Sequence, residues 1–167
     1  SPDENAALVG RFVRDRRWDQ AFVAWAGGLS AEQLSVLATP VNRGFEEQAP
    51  PSGPFEWKIG RVPGVDAGIH PSPDGEGHAL RIEFQGRRSA FRDVRQLLLL
   101  PPGRGYRLQW RSRFDGLQAS RGLRWTVTCA DGTAGVILAA EPSAGTSPWR
   151  THAVAFDVPA DCLAQWL

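Results

Sequence analysis

The 167-residue chain contains no methionine, a single tyrosine and, beside many arginines, only one lysine, Lys58. Methionine is missing even at position 1, so we expect an excised part of a longer protein, with any signal or anchor lost upstream. The ending CLAQWL reads as mid-strand, so missing sequence is expected there too. No apolar run approaches the roughly 20 residues that span a bilayer, which excludes a transmembrane helix. Residues 1–30 are charged and amphipathic, without the apolar core of a signal peptide. Catalytic signatures are absent as well: there is no G-x-S-x-G, H-E-x-x-H, P-loop or dinucleotide fingerprint. Glu46, Glu47, Glu56 and Glu83 could supply two carboxylates for glycoside hydrolysis, but nothing in the sequence pairs them. No catalytic residue is nominated, and a non-enzymatic protein is expected.

What is present is an ordinary globular composition, 42% apolar and 22% charged. Its net charge of +1 hides an uneven distribution. Between Arg81 and Arg124 eleven arginines face only Glu83, Asp93 and Asp115, a balance of +8. A solvated sheet face explains this, and so does attraction for an anionic partner such as an acidic glycan or other acidic polymer. No RNA- or DNA-binding motif accompanies the charge, so nucleic acid is not expected. The two cysteines, Cys129 and Cys162, cannot form a zinc site with His70, His78 and His152 scattered singly. They form one disulfide in an exported protein or two buried thiols in a cytosolic one.

Residues 1–39 carry helical periodicity. Leu8, Phe12 and Val13 share a face; Trp18, Phe22, Trp25 and Leu29 repeat it at spacings of three and four. Gly27 and Gly28 end that run. Ser30, with Glu32 and Gln33 behind it, starts a third helix carrying Leu34, Val36 and Leu37, and Thr39-Pro40 closes it. The stretch LVGRFVRDRRWDQAFVAWAGGLS resembles one helix-turn-helix unit of a tetratricopeptide-type repeat. That implies the end of a helical repeat array and a protein partner through the helices. The alternative is a helical extension that caps the sheet domain.

From residue 41 onward the period changes to two. HALRIEFQG sets Leu80, Ile82 and Phe84 against Arg81, Glu83 and Gln85. GYRLQWRSRFD sets Tyr106, Leu108, Trp110 and Phe114 against Arg107, Gln109, Arg111 and Arg113. GLRWTVTC and THAVAFDVP alternate likewise, and RQLLLL and GVILAAE read as short covered strands. PSPDGEG, PPGRG, ADGT and EPSAGTSP supply the turns. Eight to ten short antiparallel strands predict a mainly β protein, a two-sheet sandwich over residues 41–167. The junction PVNRGFEEQAPPSGPFEW is read as a first strand from Asn42 to Glu46, a Pro/Gly loop, and Phe55 and Trp57 entering the core.

The residues Asn42, Gly44, Phe45, Glu46 and Trp57 resemble the first strands of jelly-roll carbohydrate-binding modules, the galactose-binding-like domains. LLLLPPGRGYRLQWRSRF and the run from Trp149 to Phe156 are similar to later strands of that family. The resemblance implies a jelly-roll β-sandwich, a periplasmic or secreted protein, and a non-catalytic module for a carbohydrate or cell-surface polymer. It also implies a structural calcium ion at Glu46, with Asp161 a guessed second ligand; otherwise Glu46 is an exposed strand-end carboxylate.

Strand alternation assigns Trp57, Trp110 and Trp125 to the core and Trp18 and Trp25 to the helical face. The aromatic candidates left for a ligand surface are Phe91, Trp149 and, less directly, Trp166. Arg107, Gln109, Arg111 and Arg124 are the polar candidates, with Arg113, Thr126 and Thr128 on the same polar faces. Open to solvent, they form a hydrogen-bonding platform; covered, they are paired structure.

Overall fold

Asp3 and Glu4 in the first turn of helix α1 (Pro2–Arg14), with Arg11 and Arg14 in its last, complement the helix dipole. The computed structural model describes residues 2–35, 37, 39–46, 53–86, 91, 94–118, 121–132 and 134–167. They fall into two compact units, Ser1–Leu98 and Leu99–Leu167. The helical lead-in lies within the first.

In that first unit α1 turns through Arg16, whose φ is 57°, into α2 (Trp18–Ala26). Val9, Trp18, Ala21 and Trp25 are buried. The Asn5 side-chain amide donates to the Ala24 carbonyl at 3.0 Å, tying the two helices together. Helix α3 (Ala31–Ser35) begins with a reciprocal capping box. Gln33 N–H donates to Ser30 Oγ at 3.2 Å, and Ser30 N–H donates to Gln33 Oε1 at 2.9 Å. The helix ends before Leu37, Leu34 is 46% exposed, and Val36 lies outside the described residues.

Three aromatic rings join the helices to the segment after the junction. Phe22 and Trp25 lie 5.2 and 5.4 Å from the Phe55 ring, which is 2% exposed. Gly53 permits this approach, because a Cβ there would sit 2.6 Å from Trp25 Cδ1. The first strand expected from Asn42 to Glu46 does not form. Residues 41–44 are a turn, with Asn42 and Phe45 at φ 48° and 57°. Left-handed backbone interrupts any strand ladder. What holds the turn is side-chain bonding: the Trp57 indole N–H donates to the Asn42 carbonyl at 3.1 Å. Gln96, fully buried, accepts from Val41 N–H and donates to Val41 C=O, both at 2.9 Å.

Strands β1 (Lys58–Ile59) and β4 (Val94–Arg95) pair antiparallel. β2 (Val65–Pro71) and β3 (His78–Phe84) form a hairpin in continuous register from Val65↔Phe84 to Pro71↔His78. β3 alternates as expected, with Arg81 and Glu83 exposed and Leu80, Ile82 and Phe84 half-buried. The buried pair Leu97–Leu98 is β5.

In the second unit β6 (Arg104–Leu117) and β9 (Gly145–Val158), fourteen residues each, pair antiparallel. β7 (Thr126–Cys129) is flanked by β8 (Val136–Ala139) and β10 (Gln165–Trp166). Cys129 and Cys162 are joined by a disulfide with Cα atoms 5.7 Å apart. The two sulfurs and Val158 make a buried cluster under Leu100, Tyr106, Ile137 and Phe156. Gln165, fully buried, repeats the device of Gln96. It accepts from Leu100 N–H at 2.9 Å and donates to the carbonyls of Cys162 and Leu100 at 3.0 and 3.3 Å.

The fold is strand-rich and antiparallel with N-terminal helices, but the expected jelly-roll sandwich is not what the strands build. A jelly roll winds eight strands into two layers. Here the sheets are open, and the two longest strands, β6 and β9, pair with each other alone among the described residues.

Replacing Gln165 with Leu leaves one N–H and two carbonyls without their buried partner. We expect a loss of about 2–4 kcal/mol in equilibrium denaturation. A loss below about 1 kcal/mol would show that the backbone groups find other partners.

Candidate functional site

The long β6–β9 ribbon has two chemically different faces because its side chains alternate. Tyr106, Leu108, Trp110 and Phe114 of β6 share one face with Val154 and Phe156 of β9. On that face the Trp110 and His152 rings stack at 5.1 Å, and the Tyr106 hydroxyl donates to the Pro101 carbonyl at 2.8 Å. The other face is exposed and carries Arg107, Gln109, Arg111 and Arg113 in one row. Opposite them the register places small residues: Ala155 across from Arg107, Ala153 from Gln109 and Thr151 from Arg111. A wall of long polar side chains therefore stands beside a low floor.

Between Ser112↔Arg150 and Phe114↔Ser147 the ladder slips by one residue, a β-bulge. Trp149, two residues before Thr151 and by alternation on the face of the row, has the Arg111 guanidinium 5.4 Å from its ring centroid. Such a stack contributes about 0.5–1 kcal/mol at an exposed site and holds Arg111 in place. Three buried polar atoms collect around the slip without partners among the described residues: Ser112 Oγ, Trp149 Nε1 and His152 Nε2. A shallow depression opens at each end of the ribbon. One is lined by Gly105, Arg107, Ala155 and Asp157, the other by Arg113, Asp115, Thr146 and Trp149. The two strands carry five arginines against Asp115 and Asp157, and neither Arg107 nor Arg113 forms a salt bridge with a described residue.

Four of the candidates thus share one surface: Arg107, Gln109, Arg111 and Trp149. The others lie elsewhere. Arg124 is exposed outside the ribbon and donates from Nη2 to the Arg121 carbonyl at 3.4 Å. Phe91 belongs to the first unit and packs edge-on against Phe84 at 5.8 Å, half-buried. Trp166 is half-buried in β10. The rest of the basic loop, residues 87–90 and 92–93, lies outside the described residues, as does Glu47. The small floor of β9 was not anticipated, because it depends on which strand faces β6, and alternation within one strand does not carry that.

Glu46, the calcium candidate, is occupied by a neighbour in its own unit. Its Oε2 lies 3.1 Å from His78 Nδ1, and the His78 backbone N–H donates to Oε1 at 3.4 Å. The carboxylate lies over Gly77, where a Cβ would come within 2.4 Å of Oε1. Among the described residues no group of three or more His, Cys, Asp or Glu is placed to hold a metal ion. Hydrogen bonds from the His78 ring and then its backbone N–H hold the Glu46 pKa below the usual carboxylate value.

No protein-family model, curated protein or solved structure matches this chain. With the open sheets, this overturns the resemblance to galactose-binding-like jelly rolls and to a tetratricopeptide-type unit. The carbohydrate-binding label rested on that resemblance and falls with it. A physical ground agrees: Trp149 is half-buried and the Arg111 guanidinium lies 5.4 Å from its ring centroid, so one face of the ring is taken from any sugar that would stack on it. Among the described residues no helix is long and apolar enough to cross a membrane.

The Glu46–His78 pair predicts a pH signature. A carboxylate whose folded pKa is depressed stabilises the fold fully above its unfolded value and loses that contribution as pH falls through the folded value. The Tm difference between the native chain and Glu46→Gln should be largest above the unfolded glutamate value of about 4.3 and shrink as pH falls through the depressed folded value. A difference that persists unchanged into acid would exclude the carboxylate as its source.

Proposed function

We propose that the protein is a non-catalytic binding module for an extended acidic polymer of the cell-surface type, bound along the arginine row of the β6–β9 ribbon. One observation supports it above the rest: Arg107, Gln109, Arg111 and Arg113 stand exposed in line, beside the small residues Ala155, Ala153 and Thr151. From Arg107 to Arg113 the row extends roughly 20 Å at 3.4 Å per residue, long for a small molecule but suited to a chain. Solvent-facing guanidiniums are firm hydrogen-bond donors to carboxylates.

A second reading makes the chain a protein-interaction module through its helices. It is favoured by the exposure of Leu8, 40%, and Val23, 69%, on the helical pair.

The compartment we propose is oxidising, periplasmic or extracellular, and the Cys129–Cys162 disulfide supports it. Its cysteines are separated by 33 residues, and a loop of that length contributes about 4 kcal/mol. Replacing both cysteines with Ala should remove most of that. Protein isolated from its own compartment without reductant should titrate no thiol; two free thiols would overturn the compartment.

The binding reading is tested by affinity electrophoresis against immobilised polyglutamate and polyuronate, with an uncharged polymer as control. Retention by an acidic polymer should weaken with salt. It should also weaken about fivefold for each of Arg107→Ala, Arg111→Ala and Arg113→Ala. No retention by any acidic polymer at low salt would sink the proposal.

A further inference from the structure

Resting on the acidic-polymer reading, we infer that the occupant of the arginine row is an extended acidic polypeptide segment. Residues on one face of a strand recur every second position, roughly 6.8 Å apart, and an extended peptide laid along β6 has the same repeat. Carboxylates at its positions i, i+2 and i+6 then fall opposite Arg113, Arg111 and Arg107. Position i+4 falls opposite Gln109, whose amide both donates and accepts.

The neighbouring groups favour a peptide over other polyanions. Ala155 and Ala153 leave room for a second backbone to approach the ribbon, while the Asp157 carboxylate leans over Gly105 at its end. Asp157 and Asp115 lie in the depressions at the two ends, each beside an arginine. A carboxylate there accepts hydrogen bonds, and a peptide supplies N–H donors along its whole length. A chain charged at every unit and lacking such donors, such as polyphosphate, meets repulsion at both ends instead. A polyuronate has hydroxyl donors, but its rings gain no aromatic platform from the face of Trp149 that Arg111 occupies. An acidic strand supplies charge at the right spacing, donors for the aspartates and no requirement for stacking.

The test uses the complete 167-residue chain and two fluorescently labelled peptides of identical composition. In the first, Glu-Thr-Glu-Thr-Gln-Thr-Glu, every carboxylate lies on one face of the extended chain. In the second, Glu-Glu-Thr-Thr-Gln-Glu-Thr, the carboxylates are split between faces. Fluorescence anisotropy at low salt should show the first bound about threefold more tightly, the effect of misplacing one exposed ion pair, since two carboxylates of the second still share a face. Arg111→Ala should reduce that preference. Equal affinity for the two peptides would overturn the inference, since net charge alone would then decide. Binding of polyuronate without either peptide would also overturn it, while leaving the acidic-polymer reading standing. Failure of all three ligands would remove both.

Discussion

The hydrogen-bonded ladder between β6 and β9 is the constraint on which the candidate surface depends. Fourteen-residue strands in one register decide which small residue of β9 lies beside which long residue of β6. The ladder is anchored at one end, where Tyr106 and Phe156 pack on the cluster of Cys129, Val158 and Cys162. At the other end, beside the slip after Ser112, Trp149 packs against Arg111. The anchored end gives the row its orientation, and the slipped end gives it a fixed guanidinium. The floor would not survive a different pairing, although the arginine spacing is set by β6 alone.

Two buried glutamines do elsewhere what neighbouring strands do in a regular sheet. A primary amide presents one acceptor and two donors at the geometry of a peptide group. Gln96 meets both backbone groups of Val41 in this way, and Gln165 those of Leu100. Each therefore satisfies irregular backbone that would otherwise be costly to bury. This explains how turn 41–44 and the segment around residue 100 are held without a continuous ladder. The Phe55 ring, set against Phe22 and Trp25, holds the helices in the same unit by packing rather than hydrogen bonding.

Much of the local structure was legible in the residues. Alternation in HALRIEF and RLQWRSRF marked real strands, and the capping pair Ser30–Gln33 marked a real helix start. Phe55 and Trp57 are buried, as the junction pattern implied. Longer-range relations were not legible, and the reasons are physical. Period two states that a strand has two faces but is silent on its partner, so a set of alternating runs was assembled into a sandwich that does not form. Asn42 did carry a hint, since asparagine tolerates positive φ better than most residues, but nothing in Phe45 announces one. Gln165 did leave a trace, a lone polar residue within the apolar run LAQWL, and Gln96 a weaker one at the edge of RQLLLL. Only a partner fifty-five or sixty-five residues away gives it meaning. Trp149 reads as a surface ring in sequence, and it does lie on the exposed face of the ribbon, half-buried against the Arg111 guanidinium.

Alternation on the ribbon also makes it unequally tolerant of two kinds of genetic change. Substituting one arginine removes one charge and leaves every neighbour where it was. Deleting one residue between Gly105 and Arg107 would exchange the faces of everything beyond it, presenting Leu108 and Trp110 to water and turning Arg107, Arg111 and Arg113 inward. Related chains should therefore hold the length and parity of the exposed row even more strictly than the identity of any one residue in it. Insertions should be confined to turns such as 130–135, where no ladder carries the change forward.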